Sequence, residues 1–309
     1  LLVSSAASDV YKRQMKKLIL LFAVAFNLNS NEFLTGSLVD YSGLIKMPNA
    51  RFNNEGKVSF NYSRYDPYGK YVFQFSPYDW FEGALFYTDI NSLGYPDFER
   101  GPGGMQSQKD KGFSLKARLF KEGECYGLDY AFCEYLPNVA VGLVDFAGTS
   151  LTASEYVVAS KSFGRFDLTA GLGWGALGST DNIGGNPLSI LTDKFDQRGS
   201  GYSLGLMGGV PGVSTWFRGT TSVFGGVEYV IPKARFYPVN SKIKLEYDSI
   251  DHELADFCRE CEGDRFESLD SPISLGYEVI VNKNLNFGLY YENMSQLAFR
   301  WQAGFNFAK

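Results

Sequence analysis

Residues 166–179 read FDLTAGLGWGALGS, and the spacing Gly173-x-Gly175-x-x-Gly178 matches the glycine pattern of a turn that cradles a dinucleotide pyrophosphate. That chemistry requires a strand before the glycines and a helix opening directly after them, so that backbone amides and the helix N-terminus meet the phosphates. After Gly178 the chain reads STDNIGGNPLS, which has no helical apolar period. The same stretch alternates instead. Phe166, Leu168, Ala170, Leu172 and Trp174 share one parity, and Asp167, Thr169, Gly171, Gly173 and Gly175 share the other. It reads as a strand, and the glycine match as a coincidence in a chain with 34 Gly.

Other chemistry has as little to build on. The one histidine, His252, lies in the acidic run DSIDHELADF, a solvated loop by composition, so neither a Ser-His-Asp triad nor a His-rich metal site assembles around it. Asp248/Asp251 and Glu260/Glu262 share that region and read as solvating acids rather than a glycosidase pair. Cys125, Cys133, Cys258 and Cys261 fall in two clusters. In an oxidising compartment, local pairing of Cys125 with Cys133 and of Cys258 with Cys261 is preferred, with free thiols as the alternative. A zinc site using His252 and Cys258-x-x-Cys261 would need a fourth ligand from the distant pair. No catalytic residue, metal or cofactor is expected.

The elements that position these residues are strands. Aromatic residues make up 16% of the chain, with 26 Phe and 20 Tyr, a composition suited to strands rather than helices. Residues 1–14 read as a non-native leader ahead of Met15, and 15–30 as a signal peptide, with Lys16 and Lys17 before a short apolar run. Residues 31–309 are then one domain. The first thirty residues carry a net +3, which leaves the rest near −8 out of a total of −5. Such acidity argues against nucleic acid as a partner.

Period-2 alternation recurs from VSFNYSR (58–64) to LAFRWQAGFNF (297–307), giving about twelve strands. Tight joints such as FGRF and VNKN contrast with long polar ones at 91–111, 121–137 and 250–271, as in an up-and-down meander with short turns on one side and long loops on the other. Strands of nine to eleven residues are long enough to cross a hydrocarbon core when tilted. The expected fold is therefore all-β, an antiparallel up-and-down transmembrane barrel of about twelve strands. Its Gly-rich segment 178–219 is read as an excursion into the lumen or over one end, with a short amphipathic helix at 187–195. Phe166, Leu168, Leu172 and Trp174 would face lipid. The polar parity would line the lumen, with Lys116, Arg118, Glu228, Lys244, Glu246, Glu278, Glu292 and Arg300 as the candidate lumen charges. These either line a path for a polar polymer or neutralise one another across a closed lumen.

Longer blocks carry a resemblance. GLIKMPNAR (43–51), RYDPYGKYVFQFSPYDWFEGALFYTDI (64–90), KDKGFSLKARLFKE (109–122) and the run from YLPNVAVGLVDF to GLGWGALGS (135–179) are similar to the YjbH family, whose relatives include the capsule-associated GfcD proteins. WFRG (216–219), FGGVEY (224–229) and KLEYDS (244–249) continue it. The resemblance implies a non-enzymatic barrel in the outer membrane of a Gram-negative bacterium that assists biosynthesis or export of an exopolysaccharide or capsule-like polymer. Its expected partners are outer-membrane lipid, polysaccharide and other envelope export proteins. Family members are often lipoproteins and often much longer, and no lipobox Cys comes after the apolar run here. The alternatives are a porin-like or passive structural barrel and a secreted carbohydrate-binding β-sandwich.

Overall fold

The computed structural model describes residues 34–94, 107–127, 133–148, 150–199, 211–251 and 271–308. Leader, signal peptide, His252, Cys258, Cys261, Glu260 and Glu262 lie outside the described residues. The described residues form twelve strands: β1 (Lys57–Tyr65), β2 (Tyr68–Tyr78), β3 (Phe81–Gly94), β4 (Ser107–Phe120), β5 (Asn138–Gly148), β6 (Ser154–Phe163), β7 (Phe166–Gly175), β8 (Thr221–Ile231), β9 (Asn240–Tyr247), β10 (Ile273–Asn282), β11 (Leu285–Glu292) and β12 (Gln296–Asn306). Each pairs antiparallel with its neighbours in sequence, and β1 pairs with β12 from Lys57↔Asn306 to Arg64↔Phe299, so the sheet closes on itself. Closure leaves no edge strand exposed.

Alternation sets the two surfaces. One parity points inward and is buried although polar: Asn61, Gln74, Lys116, Lys244, Glu278 and Arg300 are each at most 4% exposed. The other points outward and is exposed although apolar, as at Phe73, Leu85, Ile243, Leu275, Leu289 and Phe299. Outward aromatics pack on each other across strands, with Tyr62–Tyr71 and Phe166–Tyr229 centroids 4.8 Å apart and Phe60–Trp301 at 5.6 Å. This is the reverse of a water-soluble sandwich, whose apolar parity is buried.

Inward aromatics need room, and inward glycines provide it. Tyr156 lies in register with Gly142, Phe224 with Gly171, and Tyr290 with Gly276. A Cβ on Gly142 would fall 2.2 Å from the Tyr156 ring, and one on Gly171 would fall 2.3 Å from Phe224. Of the glycines of the opening stretch, Gly171 thus accommodates a neighbour's ring. Gly142→Val is expected to destabilise the barrel by about 1–3 kcal/mol through overpacking, read as a lower temperature for loss of the compact form on unheated gels.

Three expectations change. Strand count fixes which end each joint occupies, and the long joint 121–137 lies at the same end as the tight turns 79–80, 164–165 and 283–284. We call this the terminal end, since β1 starts and β12 stops there. The tight 66–67 turn lies at the opposite, loop end, with 149–153, 176–220 and 248–272. Second, the amphipathic helix at 187–195 is two short 3-10 turns, Pro187–Ile190 and Asp193–Phe195, capped by Asn186 and Thr192 side chains, and its Ile190 and Leu191 are exposed. Third, the excursion does not simply enter the lumen. Leu177 tucks inside, but beyond it the chain passes over the rim and lies on the outer wall. There Asn182 bonds both the N–H and the C=O of Val223, and Arg198 makes a two-point ion pair with outward-facing Glu155 at 2.7 and 2.9 Å. Phe217 covers Trp174, 5.2 Å between rings, so Trp174 is 2% exposed instead of facing outward freely.

Candidate functional site: a lumen filled by residues 34–53

The lumen of a twelve-strand barrel is too wide for wall side chains alone to fill. Here the chain preceding β1 fills it. Residues 34–53 form a finger folded on itself by the backbone bonds Leu38 N–H to Ile45 C=O and Leu44 N–H to Met47 C=O. One leg lies beside Gln302 midway down the wall, where Gly36 N–H donates to Gln302 Oε1 at 3.0 Å. The chain reverses twice, within the bridges Gly36↔Ser42 and Gly43↔Pro48, and the last leg returns past Asn49 and Arg51 toward β1. Leu44, Met47 and Ala50 pack against Tyr156, Val158 and Phe224.

The wall charges bind the finger as much as one another. Glu246 accepts from the backbone N–H groups of Ile45, Lys46 and Met47 at 2.6, 2.9 and 2.9 Å. Lys244 donates to the carbonyls of Gly43 and Leu44 at 2.9 and 2.8 Å and pairs with Glu278 at 3.1 Å. Lys116 pairs with Glu82 at 2.8 Å and donates to the Ser42 and Arg51 carbonyls. Glu82 also accepts from the Asn53 backbone at 2.7 Å. A segment with no regular secondary structure of its own thus has buried amides and carbonyls satisfied by acidic and basic side chains of the wall.

The finger brings charges of its own. Lys46 sits among Asp248, Glu292 (2.9 Å) and the Asn293 side chain, all buried. Burial alone would lower its pKa, but the two carboxylates outweigh that and hold it above the usual lysine range. Asp40 pairs with Lys70 and accepts from Ser114. Arg51 makes a fork onto Asp167, 2.8 and 2.6 Å, and reaches Glu122 at 2.6 Å. Burial pushes the Glu122 pKa up, but Arg51 and then Lys161 outweigh it, and the net shift is downward. A depressed carboxyl pKa means stabilisation that is complete above the unfolded-state value and fades as pH falls through the folded one. Glu122→Gln is therefore expected to lower stability at pH 7 and to flatten the loss below about pH 4.3, the unperturbed glutamate value, as followed by acid unfolding in micelles.

Of the eight lumen candidates, Lys116, Glu228, Lys244, Glu246, Glu278, Glu292 and Arg300 are buried inside the barrel. Glu228 joins Lys242 at 3.1 Å and Lys244 at 3.5 Å, and Arg300 joins Glu278 and Tyr290, both at 3.0 Å. Arg118 sits at the terminal rim, over Phe52 and 3.3 Å from Asp79. Cys125 and Cys133 form a disulfide in the 121–137 joint at that end. Sequence reasoning missed Lys70, Glu82 and Lys242; Glu82 and Lys242 share the inward parity of the stretches WFEGALFYTDI and KIKLEYDS, and Lys70 stands one residue ahead of YVFQF. It also missed Asp40, Lys46 and Arg51, for which no periodic signal exists.

Fold and site together define a closed β-barrel stoppered by its own chain. The family model described as "Exopolysaccharide biosynthesis protein YbjH" matches residues 37–309, and the chain belongs to this YjbH family. The match begins inside the finger. The protein described as "Uncharacterized lipoprotein YjbH" of Escherichia coli (strain K12) is 40% identical over 211 residues, 68% of this chain and 27% of that protein. The chain thus spans about a quarter of the length of this curated relative. A solved structure from "Unveiling the Mechanism Behind the in-meso Crystallization of Membrane Proteins" superposes with a TM-score of 0.38 at 9% identity, covering 82% of this chain and 84% of that one. Nothing about this chain rests on that likeness.

Proposed function

We propose that this chain is a non-enzymatic outer-membrane barrel of a Gram-negative envelope that assists production or export of an exopolysaccharide or capsule-like polymer. The observation that carries the membrane reading is the inverted wall, apolar and exposed outside, polar and buried inside. Such a surface is at home against lipid and is an aggregation hazard in water. The polymer reading is supported by membership of a family described by exopolysaccharide biosynthesis. The finger argues against a porin-like bore, because it fills the lumen and the charges that could line a path are engaged with it or with one another. The barrel acts on polymer through its exposed ends and through other envelope proteins.

Two measurements test this. In an outer-membrane fraction the unheated barrel should migrate faster on a gel than the boiled chain; a water-soluble monomer would sink the membrane reading. Deletion should reduce surface polysaccharide while small-solute permeability stays unchanged. Unchanged polysaccharide would remove the polymer reading, and altered permeability would favour a pore.

A further inference from the structure

At the terminal end, β8 and β9 are joined by residues 232–239, which read PKARFYPV. Pro232 and Pro238 have no N–H to give, which ends the ladder between the two strands beside them. Between the prolines the chain closes a tight turn. Ala234 and Tyr237 exchange backbone bonds at 2.6 and 2.9 Å, and the Lys233 N–H donates to the Asn240 side chain at 3.0 Å. The turn does not stand out from the rim. The Tyr237 hydroxyl bonds that of Tyr277, an outward residue of β10, and Ser241, which shares the outward parity of Ile243, lies against Tyr237 and is 0% exposed. The hairpin is thus folded back onto the outside of the wall, beside the outward residues Phe166, Tyr229, Ile243 and Tyr277, which are in register from β7 to β10. Phe236 at its tip is 93% exposed, with the Arg235 guanidinium 5.8 Å from the ring centre. Segment 232–239 contains no acidic residue, and neither Lys233 nor Arg235, both exposed, is ion-paired with another described residue. Other cations at this end do have acids: Arg118 pairs with Asp79, Lys121 with Glu124 and Lys161 with Glu122.

We propose that the 232–239 hairpin is a binding site for the headgroup of an anionic phospholipid, with Lys233 and Arg235 on the phosphate and Phe236 among the glycerol and upper acyl chains beneath it. An aromatic ring with cations beside it suits the boundary between hydrocarbon and headgroups. A zwitterionic headgroup brings its own ammonium to its phosphate, so two cations with no carboxylate beside them favour a lipid of net negative charge. Lipid is the partner the geometry favours over a protein, because the hairpin lies against the outward apolar wall and continues it. The inference rests on the membrane reading above and adds which lipid the wall holds at its terminal rim.

The test is fluorescence quenching on the full chain carrying Phe236→Trp, folded into phosphatidylcholine vesicles that contain increasing fractions of a brominated lipid, either phosphatidylglycerol or phosphatidylcholine, with wild-type emission subtracted. A cation near an anionic surface contributes about fivefold, so the lipid fraction that halves the added emission should be at least about fivefold lower for phosphatidylglycerol. Adding Lys233→Gln and Arg235→Gln should bring the two lipids level while the indole stays quenched by both. All variants should keep the compact unheated form, because the three side chains are exposed. An indole reached by aqueous iodide and by neither lipid, equal quenching by both lipids before the Gln changes, or a preference that survives them would overturn the site. The outcome is separable from the membrane reading. A wild-type chain that folds without entering vesicles removes that reading and the site with it, whereas an inserted barrel whose added indole lies in water removes the site alone.

Discussion

Lys46→Met is expected to destabilise the barrel by about 3–5 kcal/mol, because it leaves Asp248 and Glu292 as buried carboxylates without their cation. Both are 1% exposed, so water cannot take over the lost contacts. The magnitude belongs to the broken network more than to the ion pair itself. A triple variant, Lys46→Met with Asp248→Asn and Glu292→Gln, should therefore recover much of the loss, since it removes the charges together. The urea midpoint in micelles reads both. Equal midpoints for wild type and Lys46→Met would mean that the finger is not seated among these carboxylates.

The second large effect belongs to the outer wall. Leu289 is outward-facing and 57% exposed, in register with Tyr277 on β10 and Phe299 on β12. Leu289→Arg is expected to cost about 2–4 kcal/mol when the barrel folds into a bilayer, the penalty for a cation near the hydrocarbon midplane. On a wall facing water the same change would be nearly neutral. Ile190→Arg is the internal control: Ile190 is 91% exposed on the excursion beyond β7 and should tolerate the charge. The folded fraction in lipid vesicles, read from gel mobility, distinguishes the two. Equal tolerance would show that Leu289 does not meet lipid.

The strands were legible because their signal is local. Residues two apart report the face, and a strand such as VSFNYSR declares its inward Ser59, Asn61 and Ser63 without knowledge of the rest of the fold. The pairing of lumen charges was half legible. Parity placed Lys244, Glu246 and Glu278 inside, but could not show that Lys244 and Glu246 spend hydrogen bonds on Gly43, Leu44 and the amides of 45–47, some 200 residues earlier. The finger itself was opaque for the same reason. GLIKMPNAR has neither period 2 nor period 3.6, and its shape is imposed by partners scattered over β3, β4, β7, β9 and β11. Trp174 illustrates the limit within a well-read strand. Its parity is outward, yet Phe217, which arrives through a long Gly-rich excursion, covers it. Alternation reports direction and says nothing of what lies in that direction.

The finger's course has a mechanical consequence. Its first leg descends from Asp40 beside Lys70 to Gly36 beside Gln302, and its second runs down to Arg51 beside Asp167 and Glu122. Between them the chain reverses twice, within the bridges Gly36↔Ser42 and Gly43↔Pro48. The described segment lies in the tube like a folded cord, held by side chains of the wall. Its bonds to the wall run to side chains such as Ser63, Gln302, Lys244 and Glu246, so unseating it would break those bonds and leave the ones between strands in place. Wall and stopper are two mechanical bodies on one chain, and both strands of the seam hold the stopper, through Ser63 of β1 and Gln302 of β12.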